Sequence, residues 1–222
     1  MSDLNVQLVR EYFELNSFRV MTNWQQDHMR VRTPERGLQL FVENAATPHP
    51  GPADFLLRVN EAPMLERAIV EVRAWHADRL YVSHIESNPG LFDVTSEESR
   101  LLGRNFFGTD DFTTVLVIGE LPAYSEPREK ALAALKEGNL GHVIEFPTVL
   151  FELLEKVHPN VSYSSSVTLQ MLRLLKRYDF IRYQQLELPF PTEAPVGASG
   201  PQSLAPEDGL DYAGPDYAME LD

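Results

Sequence analysis

Glu71 and Arg73 stand two residues apart in AIVEVRAWH, Ala68 to His76, so on a strand both side chains leave one face while Val70 and Val72 leave the other. Charge inside an apolar strand is costly unless it is paired or meets a metal or a substrate. Asp54 opens an earlier strand candidate, ADFLLRV, running from Ala53 to Val59. If the two strands pair across the NEAPMLE turn in a slightly offset register, the Asp54 carboxylate comes near Glu71. Two such carboxylates make a hard-oxygen site for Mg²⁺ or Mn²⁺, and a neighbouring cation can orient or deprotonate a water. The plainer alternative is a Glu71–Arg73 pair on a half-exposed edge.

Other chemistry is more thinly signalled. His76 and His84 flank Asp78, but together with His142 they match no recognised metal-ligand spacing. His76, beside Trp75, can touch phosphate or stack on a base, or else bond to backbone as strand-end histidines usually do. Near the C-terminal end, Arg173, Lys176 and Arg177 fall at i, i+3 and i+4 on one helical face, with Arg182 nearby. Such a face either tracks a phosphate backbone or is simply solvated. Met171, Leu172, Leu175 and Tyr178 face the other way and read as core. SYSSS lacks a nucleophile elbow, and VIGELP is neither a phosphate loop nor a dinucleotide fingerprint. The absence of cysteine excludes thiol catalysis, thiolate metal sites and disulfides, and suits a reducing cytosol.

The elements that must position these residues alternate. Asp3 can cap a helix whose stripe is Leu4, Leu8, Tyr12 and Leu15, with Gln7, Glu11 and Glu14 on its polar side. FRVMTNW and LQLFVEN read as strands, and ADFLLRV and RAIVEVRAW as a hairpin. Thr95 and Glu98 fit a capping box ahead of SRLLGRNFFG. FTTVLVIGELP has the continuous apolar character of a central strand covered on both faces. A capped helix (SEPREKALAALKEGN), a short strand (GHVIEF) and two helices (PTVLFELLEKVHP, SSSVTLQMLRLLKRYDF) follow. The fold class expected is α/β, a mixed central sheet flanked by helices.

The 222 residues are 43% hydrophobic, enough for one substantial core. The formal charge of −14 is unevenly spread: Leu186 to Asp222 carries eight acids, six prolines and no Lys or Arg, leaving −6 for the rest. That composition predicts a disordered acidic tail over 189–222, a solvated extension or a short docking motif for a protein partner, behind a folded domain over 1–188. No basic start with an apolar run and no stretch of the roughly 20 apolar residues needed for a membrane helix occurs, which predicts a cytoplasmic protein without a membrane partner.

The order of elements, with Asp54 opening a strand and Glu71-Val72-Arg73 in the next, resembles the PD-(D/E)xK, or restriction-endonuclease-like, nuclease fold. RAIVEVRAWHADR, FPTVLFELLEKV and LQMLRLLKRYDF are similar to segments of uncharacterised bacterial proteins of that class, over about Leu4 to Leu188. The resemblance implies that Asp54 and Glu71 hold Mg²⁺ or Mn²⁺, that Arg73 stands where the family has its catalytic lysine, and that DNA is the substrate. Some members add an acid from the first helix, for which Gln7 and Glu11 are the candidates. Two departures follow from the residues themselves. Arginine stays protonated and is a poor proton acceptor, so Arg73 can clamp phosphate but not activate water. And if the strand before Glu71 is GLQLFVEN, the first acidic position falls near Gln39, a neutral amide. Two functions remain open: a metal-dependent deoxyribonuclease, or a catalytically inactive descendant of the fold that binds nucleic acid or a protein.

Overall fold

The computed structural model describes residues 3–22 and 39–181. Trp24, at the end of the FRVMTNW strand candidate, Arg182 and the acidic segment 189–222 lie outside the described residues.

Helix α1 (Asp3–Leu15) leads into strands β1 (Phe18–Thr22), β2 (Gln39–Asn44) and β3 (Arg67–Arg73). Helices α2 (Val82–Glu86) and α3 (Glu97–Phe107), with a 3₁₀ segment at Pro89–Thr95, precede β4 (Thr113–Ile118). Then come α4 (Ser125–Glu137), β5 (His142–Glu145), α5 (Phe146–Lys156) and α6 (Val167–Arg177). The strands form one mixed sheet in sequence order: β1, β2 and β3 pair antiparallel, and β3, β4 and β5 pair parallel. The expected α/β class, with a mixed sheet flanked by helices, is what forms.

Strands β2 to β5 feed two cores because their side chains alternate, while β1 faces only one. Val20, Leu40, Val42, Val70, Val72, Val115 and Val117 pack with α1, α5 and Leu169 of α6. Phe41, Ile69, Leu116, Ile118 and Val143 pack with Ile85, Leu91, Val94 and Leu135 on the opposite face. β4 is buried along almost its whole length, as its uninterrupted β-branched run requires.

Two expectations are corrected. ADFLLRV forms no hairpin with β3. After Asn44 the chain crosses to the far edge of the sheet, where Leu56 bridges Val143 of β5 in parallel, and β2 takes the place beside β3. The β2 neighbour wins because it offers five consecutive paired positions, Gln39 to Glu43 against Glu71 to Arg67, where the 55–57 stretch offers β5 a single bridge. The cap of α3 is Ser96, whose side chain accepts from the Ser99 amide, while the Thr95 hydroxyl donates to the Phe92 carbonyl. No helix among the described residues is long and apolar enough to cross a membrane.

Candidate functional site

Glu71 and Arg73 leave β3 on the face of Ile69, beneath the 3₁₀ segment and α3. They are buried, at 1% and 3% exposure. The Arg73 Nε–H donates to Glu71 Oε1 at 2.6 Å, and one of its terminal nitrogens donates to the Gly90 carbonyl at 3.0 Å and reaches Asp93 at 3.5 Å. Cross-strand register sets Gln39 opposite Glu71. The Gln39 amide donates to Ser99 Oγ at 2.7 Å and lies 3.4 Å from the second Glu71 oxygen, and Ser99 Oγ–H donates to the Asp93 carbonyl. Both oxygens of Glu71 are thereby engaged, and two of the arginine's partners, the Gly90 carbonyl and Asp93, come from a segment that follows it in sequence.

Burial pushes the Glu71 carboxyl above the usual carboxylate range, while the Arg73 charge and the hydrogen bonds from Arg73 and Gln39 pull it back. The pair is thus held by mutual satisfaction inside a buried layer. It is not the half-exposed edge pair that β3 read alone suggested.

Asp54 is not part of this cluster. It sits in the loop ahead of the Leu56 bridge, exposed and 3.6 Å from Arg58, and its carbonyl accepts from His142 Nδ1–H. From β3 to that segment there are three strand steps, about 14 Å at the usual inter-strand spacing of ~4.8 Å. The expected convergence of Asp54 with Glu71 does not form, because β4 and β5 stand between them. The position opposite Glu71 belongs to Gln39, the second alternative that the sequence left open.

Glu11, the acid offered by the first helix, faces the other core. It is buried and accepts from Gln7 Nε2 at 2.7 Å and from the hydroxyls of Ser166 and Thr168 at the start of α6. A divalent ion needs several oxygens converging on it. Here both Glu71 oxygens face nitrogen donors, Gln39 presents its N–H, and Asp93 leans on Arg73. Among the described residues no group of three or more His, Asp or Glu is placed to hold a metal. The residues present do not fit the Mg²⁺ or Mn²⁺ that the resemblance implies.

The remaining candidates are also placed elsewhere. His76 lies past the end of β3, its Nε2 3.1 Å from Asn5 Oδ1 and its ring edge-on to Phe146. Asn5 in turn donates to the Ala74 carbonyl, so the histidine is positioned by α1. With Trp75, Arg79, Glu120 and Leu150 it lines an open cleft of about 420 Å³ at the carboxyl ends of β3 and β4, where open α/β sheets commonly bind ligands. Arg79 is paired with Glu120 there, and Asp78 adds a second acid to the lining.

Arg173 donates to the Pro159 carbonyl, Lys176 to the Leu154 carbonyl and Arg177 to Asn160 Oδ1. These bases tie α6 to the last turn of α5 and the loop after it, as cations at a helix C-terminus do, and form no open phosphate track. With them turned towards the protein, Met171 and Tyr178 are exposed, which corrects their expected place in the core.

Sequence reasoning missed a third buried acid, Glu152. It accepts from Asn60 N at 2.8 Å, Asn16 Nδ2 at 3.2 Å and Tyr12 OH at 3.4 Å, with Lys156 at 3.2 Å. Burial and the Glu152 charge push the Tyr12 hydroxyl well above its ordinary range. Only its place on an otherwise apolar stripe, beside Val149 and Leu153, hinted at it.

In comparisons with known proteins the chain matches no family model, no curated protein and no solved structure.

Proposed function

We propose that this chain is a catalytically inactive module of restriction-endonuclease-like ancestry that acts by binding a protein. The observation that carries this reading is the buried Glu71–Arg73 pair with Gln39 opposite, where an active member would converge two acids and a lysine on a metal. The antiparallel β1-β2-β3 meander running into parallel β4 supports the ancestry, since it sets Gln39 and Glu71 side by side as the family pattern requires of its two acids. A cation that stays protonated and is already bonded to Glu71 and the Gly90 carbonyl supplies neither a proton acceptor nor a free phosphate clamp.

A protein is favoured over nucleic acid by charge. Binding to a phosphate backbone rests on an open basic footprint. In this chain of net −14, Arg10, Arg67, Arg79, Arg104 and Arg128 are each matched to a carboxylate, and Arg173 and Lys176 of α6 are turned onto carbonyls.

The test is cleavage of supercoiled, linear and single-stranded DNA by the full chain with Mg²⁺ or Mn²⁺. No turnover is expected from the wild type or from Arg73→Lys. Metal-dependent turnover that disappears in Glu71→Gln would overturn the proposal.

A further inference from the structure

The outward face of α6 carries Val167, Met171, Leu174 and Tyr178, spaced four, three and four residues apart. They are 88%, 63%, 41% and 66% exposed. That spacing is the a/d seam of a helix that packs lengthwise on another helix. The helix is well anchored beneath it: Leu169 is in the core, Ser166 caps the N-terminus, Glu11 holds Ser166 and Thr168, and the bases are pinned to the α5 side. Its end is closed by Asp179 in the left-handed region, with the Asp179 amide donating to the Lys176 carbonyl and the Phe180 amide to the Leu175 carbonyl. A rigid helix with a formed seam turned to solvent is a docking surface.

We infer that the occupant of this seam is α6 of a second copy, antiparallel across a two-fold axis. Three features of the face favour self-pairing. Antiparallel alignment places Val167 opposite the partner's Tyr178 and Met171 opposite the partner's Leu174, so small meets large and medium meets medium in every layer. It also brings the Asp179 carboxylate to the N-terminal end of the other helix, where negative charge is favoured, and keeps the two Arg177 side chains at opposite ends. The area fits a weak, transient pairing: the four exposures correspond to roughly 400 Å² of apolar surface per chain, about 800 Å² in the pair, at the low end for a specific interface. A lipid surface fits less well, because Arg173 and Lys176 bond to protein carbonyls and do not border the face, and the chain as a whole is strongly acidic. The inference does not depend on catalytic inactivity, since α6 lies across the sheet from Glu71.

The experiment is sedimentation velocity of the full chain from low to high micromolar concentration, with Met171→Asp/Leu174→Asp as the variant. Both positions are exposed, and an unchanged circular dichroism spectrum and urea midpoint confirm folding. The wild type is expected to reach the mass of two chains, and the variant to have its dissociation constant raised at least about tenfold. Orientation is read by cross-linking, which the lack of native cysteine makes clean. Met171→Cys mixed with Leu174→Cys should form the disulfide, whereas Tyr178→Cys alone should not, its two copies lying about 16 Å apart along the helix axis. A wild type that stays one chain at every concentration, a dimer that the double variant leaves intact, or a monomer that binds phosphatidylserine vesicles through these residues would each overturn the inference. A rapid Tyr178→Cys self cross-link would overturn the antiparallel arrangement.

Discussion

The Nε of Arg73 stands 2.6 Å from Oε1 of Glu71, both side chains enclosed between the sheet and the 3₁₀ segment Pro89–Thr95. Desolvating two charges costs several kcal/mol each, and their contact offsets this only while both are present and their remaining polar atoms are bonded. Removing one should therefore be worse than removing both. Glu71→Leu and Arg73→Met are each expected to lose about 3–5 kcal/mol of unfolding free energy, and the double variant to regain most of it. Of the singles, Glu71→Leu should cost more, because the glutamate left alone can take up a proton and the guanidinium cannot. Urea unfolding of the three variants measures this, and additive losses would show that the pair is not a unit.

The pH dependence follows from the raised Glu71 carboxyl. A group that holds its proton more tightly folded than unfolded contributes stability that is present below the ordinary carboxylate value of 4.5 and is lost as pH rises through the folded value. Glu71→Gln mimics the protonated form and isolates this group from the other acids. The stability of wild type relative to Glu71→Gln should fall as pH rises above 4.5 and then level off. A relative stability that rises over that window would reverse the assigned direction.

Glu152 gathers the Asn60 amide, the Asn16 side chain and the Tyr12 hydroxyl, tying α5 to α1 and to the loop ahead of β3. Truncating it removes the acceptor of the buried Tyr12 hydroxyl and of the Asn60 amide, while Asn16 Nδ2 keeps the Tyr12 carbonyl. Glu152→Ala should cost roughly 2–4 kcal/mol and raise amide exchange at Asn60. Exchange at Asn60 that stays slow would remove Glu152 from this role.

Gly119 ends β4 against the backbone of Trp75, and a Cβ there would lie 2.1 Å from the Trp75 carbonyl oxygen. Rigid backbone cannot yield as a side chain can. Gly119→Ala is expected to lose about 1–3 kcal/mol by overpacking and to alter the cleft beside His76, seen as a shift in the His76 ring resonances. Wild-type stability would mean that the two strand ends separate freely.

Much of this architecture is legible in the residues. The periodicities of β3, β4, α1 and α5 locate them, and the Glu71–Arg73 spacing marks the one face of β3 that needs explaining. What local pattern cannot supply is the neighbour. FLL in Ala53–Val59 is as apolar as many strands, yet nothing in it says that the chain detours to β5 and leaves β2 beside β3. Gln7, Glu11 and Glu14 read as one polar face, but Glu11 is buried by two hydroxyls more than 150 residues away in sequence. On α6 two apolar stripes compete: Leu169 and Leu172 turn inward, and Met171 and Tyr178, chosen from sequence as core, turn out. Periodicity gives the angle between stripes and not which of them meets the sheet.

The central claim is that Glu71 is committed to Arg73 and Gln39 and holds no divalent ion. The most direct test is calorimetric titration of Mn²⁺ into the full-length wild type and Glu71→Gln side by side, so that any weak uptake by the acids of 189–222 is common to both. Superimposable isotherms are the predicted result. A saturable binding step present in the wild type and absent from Glu71→Gln would contradict it and return Glu71 to the role of a metal ligand.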